Sequence, residues 1–177
     1  MNEPVEFSRI VKVATLPRDG LRQKIAANDA ERERLSKRFA LASMQSLEAD
    51  FVITRSGKGV RVTGEARAKV MQICVVSLEP FPAEVVEDID VRFAPPSPER
   101  RKIQKLEEEI RFDAEDEPDP LIDGQVDLGE LAAEFVALGL DPYPRKPDAE
   151  FAAPVEDETN SPFAGILIVK SHAPEDD

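Results

Sequence analysis

Residues 60–70 alternate small or apolar side chains with polar ones, and no other part of the chain shows a clearer strand pattern. Successive side chains of a strand point to opposite faces, so this segment is predicted to be a strand with one buried face. The glycine-containing residues 55–59 predict a turn that joins it to a second strand over 40–53, and Gly64 indicates a bulge. The face predicted to be buried contains Val60, Val62, Gly64, Ala66, Ala68 and Val70, and the polar face contains Arg61, Thr63, Glu65, Arg67 and Lys69.

Two further segments, residues 5–13 and residues 83–93, predict strands of the same antiparallel sheet because apolar and polar residues alternate in them. Leu21–Ala26 follows a turn-forming cluster and fits either a brief strand or a bend. In the segment 40–53, the core candidates are Leu47, Phe51 and Ile53.

Helix signals occur in three segments. Asn28 or Asp29 can cap a helix over 29–38, which is short and polar and is therefore expected on the surface. Asp127, with Glu130 three residues later, predicts a capping box before an amphipathic helix over 128–139. A third helix is predicted over 99–110 from the apolar spacing of Ile103, Leu106 and Ile110.

The order of these elements predicts an α+β fold, in which an antiparallel β-sheet carries two or three packed helices. Residues 1–142 are predicted to form a single domain that includes an acidic loop over 112–122. Most of the 15 prolines follow Phe81, which predicts a disordered acidic and proline-rich C-terminal part. We divide that part into a linker over 143–160, a short apolar helix or strand over 161–170 and a tail over 171–177.

Charge is distributed unevenly along the chain. The net charge is −13, yet residues 1–74 contain 14 Lys and Arg against 9 Asp and Glu, whereas residues 75–177 contain 9 against 27. The acidic region is expected to repel phosphate backbones and attract basic partners, of which ribosomal proteins are one class. The alternative is that the acidic surface only keeps the protein in solution.

Few residues are suited to catalysis or metal binding. One cysteine, Cys74, and one histidine, His172, exclude an internal disulfide and make a Cys/His zinc site improbable. No phosphate loop, dinucleotide fingerprint or nucleophile elbow is present, and no stretch approaches the length of a membrane span. We therefore expect a soluble cytoplasmic protein with no catalytic residue, no metal, no cofactor, no membrane association and no small-molecule substrate.

Cys74 has two interpretations. Arg67 and Lys69 are near in sequence and would lower the pKa of a reactive thiol. Its neighbours Ile73 and Val75 are apolar, however, and this favours a small buried residue.

Basic residues of the first half predict an RNA-binding face if the helix 29–38 packs beside the hairpin. The interleaved glutamates and the absence of tryptophan favour the alternative, an ordinary solvated face. The candidates are Arg32, Arg34, Lys37, Arg38, Arg55, Lys58, Arg61, Arg67 and Lys69.

Two segments carry a family resemblance. The first surrounds Cys74 and continues as Val75-Val76-Ser77-Leu78-Glu79-Pro80-Phe81, and the second runs from Asp127 to Leu140. Together with Ser161-Pro162-Phe163 near the end, they make residues 38–170 resemble the YceD-like family. The residues that match its motif are Cys74, Asp127, Leu128, Gly129, Glu130, Leu131 and Glu134.

The resemblance implies a role in the accumulation of large-subunit ribosomal RNA. Members of the family often have a second cysteine close after the first, but this chain has Ser77 three residues after Cys74, which speaks against a metal or redox role. The resemblance and the divided charge together predict a non-enzymatic factor that binds large-subunit ribosomal RNA or a basic ribosomal protein. The alternative is an acidic adaptor for a basic partner with no direct RNA contact.

Overall fold

The hairpin predicted from the alternating residues forms the centre of the structure. A computed structural model describes residues 5–96 and 118–151, so the predicted helix over 99–110 and the segment 161–170 lie outside the described residues. In chain order the elements are β1 (Ile10–Lys12), a 3₁₀ turn (Val13–Thr15), β2 (Leu21–Ala26), α1 (Asp29–Arg38), β3 (Ser43–Ser56), β4 (Gly59–Ile73), β5 (Pro80–Ala94), β6 (Asp119–Pro120), β7 (Gln125–Asp127) and α2 (Leu128–Gly139).

Five strands form one sheet in the order β2-β3-β4-β5-β6. All neighbours are antiparallel except β6, which runs parallel to the end of β5. The predicted strands over 40–53, 60–70 and 83–93 are confirmed, and the last two extend further than the alternation indicated. Leu21–Ala26 is a strand rather than a bend, because it pairs along its whole length with β3.

Gly64 does not mark a bulge, so that prediction is wrong. The β3–β4 register passes without a break through the pair Phe51 and Gly64, and the irregularity lies between Met44 and Ser46 instead. A Cβ atom at Gly64 would lie 2.2 Å from the Asp50 carbonyl oxygen and 3.1 Å from the Phe51 ring. Glycine is therefore required there for close approach to β3.

The first strand was predicted in the main sheet over residues 5–13, and this prediction is also wrong. Only Ile10–Lys12 is a strand, and it pairs antiparallel with β7 in a separate two-stranded sheet. Phe7, which precedes it, is buried instead in the core. The alternation of residues 5–13 indicated an extended segment, but it carried no information about which distant strand would accept its hydrogen bonds.

Both described helices have the predicted boundaries and begin at side-chain caps. Asn28 Oδ1 accepts the Glu31 N–H at 3.0 Å, and the Glu31 carboxylate accepts the Asn28 N–H at 2.8 Å, which completes a capping box. Most of α1 is exposed, as expected of a surface helix, and the helix buries Leu35 completely against the sheet. Apart from Glu31, which is buried, the charged residues of α1 are exposed or partly exposed around this anchor.

The core lies between one face of the sheet and the two helices. Residues predicted to point inward are buried, including Leu47, Phe51 and Ile53 of β3. The α2 helix contributes Leu128, Ala132 and Val136, which are all completely buried. The opposite face of the sheet bears polar and charged side chains, as the alternation of β4 predicts. An α+β fold with an antiparallel sheet is therefore confirmed, and none of the described helices is long and apolar enough to cross a membrane.

Candidate functional site

The four candidate RNA-binding residues on α1 are already engaged by neighbouring acceptors. Each donates to a carboxylate or a backbone carbonyl of a neighbouring residue. The contacts are Arg32 with Asp29 (2.7 Å), Arg34 with the Glu6 carbonyl (3.0 Å), Lys37 with Glu33 (2.7 Å) and Arg38 with Glu6 (3.1 Å).

Of the five candidates on the hairpin, three are also bound by neighbouring acceptors and two are not. Arg55 donates to the carbonyl oxygens of Val13 and Leu16 at 3.2 and 3.0 Å, so it holds the β1–β2 connection. Arg61 donates to Asp90 on β5 at 2.7 Å, and Arg67 pairs with Glu65. Among the described residues, Lys58 and Lys69 have no ion-pair partner.

These nine side chains do not share one face. The α1 helix packs through Leu35 on the face of the sheet that holds Leu47 and Phe51. Arg61, Arg67 and Lys69 occupy the alternate positions of β4, which are exposed on the opposite face. The sheet separates the charges of α1 from those of β4, and the RNA-binding role of these residues stays a prediction.

Asp127 is the junction between the small sheet and α2. Its Oδ1 accepts the N–H groups of Gly129 at 3.0 Å and Glu130 at 3.3 Å, which caps the helix as predicted. The same carboxylate accepts the Arg9 N–H at 2.6 Å and the Ser8 hydroxyl. The Glu130 side chain does not return the bond of a capping box to the Asp127 N–H, so that half of the predicted box is wrong.

The segment that leads into β1 lies directly against the start of α2. A Cβ atom at Gly129 would lie 2.7 Å from the Phe7 carbonyl oxygen, so only glycine fits there. Arg9 continues this contact towards α1, where it forms two bonds with Glu31 at 2.8 and 3.0 Å. Sequence reasoning missed Arg9, because its partners are 22 and 118 positions away along the chain.

Cys74 is completely buried in the turn between β4 and β5. Its Sγ accepts the N–H groups of Val76 and Ser77, each at 3.4 Å. Bonds from Ser77, first from its hydroxyl and then from its N–H, lower the pKa of the Cys74 thiol to about 6, with a further backbone contribution from Lys146. The turn therefore stabilises a thiolate inside the protein.

Residues 141–146, which include the start of the predicted linker, lie over the Cys74 turn. The Val75 N–H donates to the Pro144 carbonyl at 2.9 Å, and Gln72 Nε2 donates to the Asp141 carbonyl at 3.1 Å. Lys146 closes the contact with a 2.7 Å ion pair to Glu79. We call residues 141–146 the strap.

An open groove of about 410 Å³ lies between α2 and the segment that connects β6 to β7. Apolar side chains, among them Phe93 and Leu131, line its floor, and Ile122 is 70% exposed at its rim. Among the described residues its lining contains no lysine or arginine. It contains five carboxylates: Asp119, Asp123, Asp127, Glu130 and Glu134. We call this the acidic groove.

The carboxylates of the acidic groove are crowded. Partial burial, reinforced by the nearby carboxylates of Glu130 and Asp119, raises the pKa of Glu134, and Arg38 only partly opposes this. A carboxylate that resists ionisation among like charges gains from an added cation. The excess of acidic residues after Val75 is a signal for this site, but it does not reveal which of those residues lie close together in the fold.

A family model described as "Large ribosomal RNA subunit accumulation protein YceD" matches residues 62–164. The chain belongs to the YceD family. The resemblance proposed for residues 38–170 is thus confirmed over a shorter range. No curated protein and no solved structure matches the chain.

The residues that match the YceD family include most of one charged surface and little of the other. The matched range contains the Cys74 turn, the β5 strand and all five carboxylates of the acidic groove. Of the nine candidate RNA-binding residues, only Arg67 and Lys69 lie within it. The segment that this chain shares with the YceD family is therefore the acidic one.

The motif residues have different structural roles. Leu128 and Leu131 are buried in the core, and Asp127 and Gly129 fix the start of α2 against the first strand. Glu130 and Glu134 do neither and line the acidic groove. Of the motif carboxylates, these two are the ones whose position suits contact with a partner.

Proposed function

We propose that this protein supports accumulation of large-subunit ribosomal RNA without catalysis, by binding a basic ribosomal protein in the cytoplasm. The observation that carries the proposal is the acidic groove, which lies in the part of the chain that matches the YceD family. Its charge suits lysine and arginine side chains, and its apolar floor suits the aliphatic parts of those side chains.

Direct binding of RNA is the less favoured route. Phosphate contacts need lysine or arginine side chains that are free to release counterions. Most of the candidate basic residues already have acceptors, and they are divided between two faces of the sheet. A ribosomal protein held in the acidic groove would protect the RNA indirectly, by being delivered to it or kept available for assembly.

The binding test uses the purified full-length chain as bait for proteins extracted from large ribosomal subunits, at low and at high salt. We expect capture of one or a few basic proteins at low salt and their release at high salt. The double variant Glu130→Gln, Glu134→Gln should lose this capture. A matched control, Glu33→Gln with Glu150→Gln, removes the same charge away from the acidic groove and should retain it.

The cellular test measures the ratio of large-subunit to small-subunit ribosomal RNA after deletion of the gene. A lower ratio is expected, with rescue by the control variant and not by the groove variant. If both variants rescue equally, the acidic groove is not the site. If RNA free of protein binds the chain more tightly than any large-subunit protein does, the RNA route replaces this proposal.

A further inference from the structure

The β5 strand forms an open edge of the main sheet. Its partner on one side is β4, along the whole strand. On the other side β6 pairs only with Phe93 and Ala94, so within the described residues no strand lies beside Pro80–Arg92. A free strand edge presents a row of backbone donors and acceptors to other chains.

The hydrogen-bond pattern identifies which residues face that edge. The Cys74 N–H donates to the Glu79 carbonyl at 2.9 Å, in the same register that pairs Ile73 with Pro80. In an antiparallel pair, hydrogen-bonded positions alternate with non-bonded ones, so the odd-numbered residues of β5 bond to β4. Even-numbered residues direct their backbone groups outward, and the Leu121 N–H indeed binds the Ala94 carbonyl at 2.8 Å. The outward-facing amides used below are those of Glu84, Val86, Asp88 and Asp90.

The side chains next to this edge are predominantly acidic. Across the exposed face, the register places Lys24, Asp50, Glu65 and Asp88 in one row over four strands. At the β2 end, Lys24 lies 3.6 Å from Asp50 and counters its charge. At the β5 end the row finishes on Asp88, which has no ion-pair partner among the described residues, whereas its neighbour Glu65 is paired with Arg67. A lysine or arginine on an added strand would complete the row as Lys24 does at the opposite edge.

We infer that the outer edge of β5 binds an extended basic segment of the partner protein by strand addition. Backbone hydrogen bonds would supply affinity, and cationic side chains beside Glu84 and Asp88 would supply selectivity. The inference depends on the proposed function for its choice of a ribosomal protein as partner. The chain's own residues 152–177 are a poorer occupant by charge, because they hold six carboxylates and one lysine.

The other edge of the sheet provides an internal control. The Ala27 N–H donates to the Leu47 carbonyl, so the outward-facing residues of β2 are Arg22, Lys24 and Ala26. Arg9 already occupies the Ala26 carbonyl at 3.2 Å. Because its outward residues include two cations, the β2 edge should reject a basic strand.

The test measures hydrogen exchange of individual amides by NMR on the full-length chain, with and without a short peptide that alternates lysine with valine. We expect exchange at Glu84, Val86, Asp88 and Asp90 to slow by about tenfold or more, with no change at Arg22 and Lys24. The neighbouring odd-numbered amides should be slow already in the free chain. A peptide that alternates glutamate with valine should have no effect.

Variants then separate charge from folding. Asp88→Lys should weaken binding of the lysine–valine peptide by about tenfold. Glu48 lies on the same exposed face, but on β3, which β4 separates from β5. Glu48→Lys should therefore weaken binding of the peptide far less. An equal loss in both variants would show that only the overall charge matters and would overturn the inference.

Other outcomes are also decisive. Slow exchange of all four outward amides in the free chain would mean that the edge is already occupied, and would overturn the inference. If a large-subunit protein is captured but leaves these amides unchanged, strand addition fails while the proposed function stands. If the lysine–valine peptide protects them but no ribosomal protein is captured, strand addition stands and the proposed function fails.

Discussion

The basic side chains of the hairpin and the carboxylates of the acidic groove are both charged surfaces, but they differ in how far their charge is neutralised. Arg61 and Arg67 each bind a carboxylate on the same face of the sheet. In the acidic groove the carboxylate of Glu134 instead lies near those of Glu130 and Asp119, and Arg38 only partly opposes them. A paired charge offers little to a partner, because its existing contact must be broken first, whereas crowded like charges are relieved by a partner of opposite sign.

The comparison shows why counting charges along the sequence is not enough. Residues 1–74 have a basic excess, yet folding brings acceptors such as Glu6 and Asp90 to most of the cations that were candidates for RNA binding. In the second half, five carboxylates instead line one groove. The four predictions below test this difference, in order of decreasing expected effect.

Reversal of charge in the acidic groove should have the largest effect. The double variant Glu130→Lys, Glu134→Lys should weaken binding of the captured basic protein by on the order of 100-fold, because attraction becomes repulsion at two positions. Calorimetric titration at low salt measures this. The same reversal at Glu33 and Glu150 serves as control, and a similar loss there would place the binding site elsewhere.

Asp127 should matter for folding, because it is the carboxylate of the acidic groove whose bonds are internal. Asp127→Ala removes the cap of α2 and leaves the Arg9 N–H and the Ser8 hydroxyl without their acceptor. We expect a loss of about 2–3 kcal/mol in the free energy of unfolding, measured in urea. Asp119→Ala, on the rim of the same groove, should change it by less than about 0.5 kcal/mol. Comparable losses would contradict the division of roles.

Glu134 should give the acidic groove a pH dependence. Its pKa in the folded protein is raised, so the folded state holds this proton more firmly than the unfolded state does. The contribution of this group to the free energy of unfolding therefore falls as the pH rises above 4.5, the ordinary pKa of a glutamate. Glu134→Gln should raise the Tm at neutral pH and flatten its decrease between mildly acidic and neutral conditions. A lower Tm at neutral pH would show that the ionised carboxylate is stabilising.

Removal of the paired cations should have the smallest effect. Arg61→Gln and Arg67→Gln break exposed ion pairs, which contribute little to stability. We expect an unchanged urea midpoint and unchanged binding of the basic protein. A marked loss of ribosomal RNA binding in these variants would instead restore the hairpin as a functional surface.

The features that the sequence predicted correctly depend on local spacing. The alternation of β4, the cap at Asp127 and the stripe of α2 are each encoded within a few residues, and the structure confirms them. The errors concern contacts between distant residues. β1 pairs with β7, and nothing in the segment 5–13 indicated this partner.

The candidate sites follow the same division. Lysine and arginine residues could be identified from the sequence, but the neutralisation of Arg38 by Glu6 requires the fold. The acidic groove is lined by residues of β1, β5, the β6–β7 segment and α2. Its carboxylates, from Asp119 to Glu134, could therefore be counted in the sequence but not placed around one cavity. Glu130 illustrates the difference, because it was predicted as half of a capping box and lies in the acidic groove instead.

Because the Cys74 sulfur is buried, its reaction with a thiol reagent can report local opening of the structure. Its low pKa means that the thiol is ready to react near neutral pH, whereas complete burial beneath the strap denies access to any reagent. We therefore expect the rate of alkylation to be set by local opening of the structure around Cys74, rather than by sulfur chemistry. Since the chain has a single cysteine, one mass measurement over time follows that motion without any engineered label.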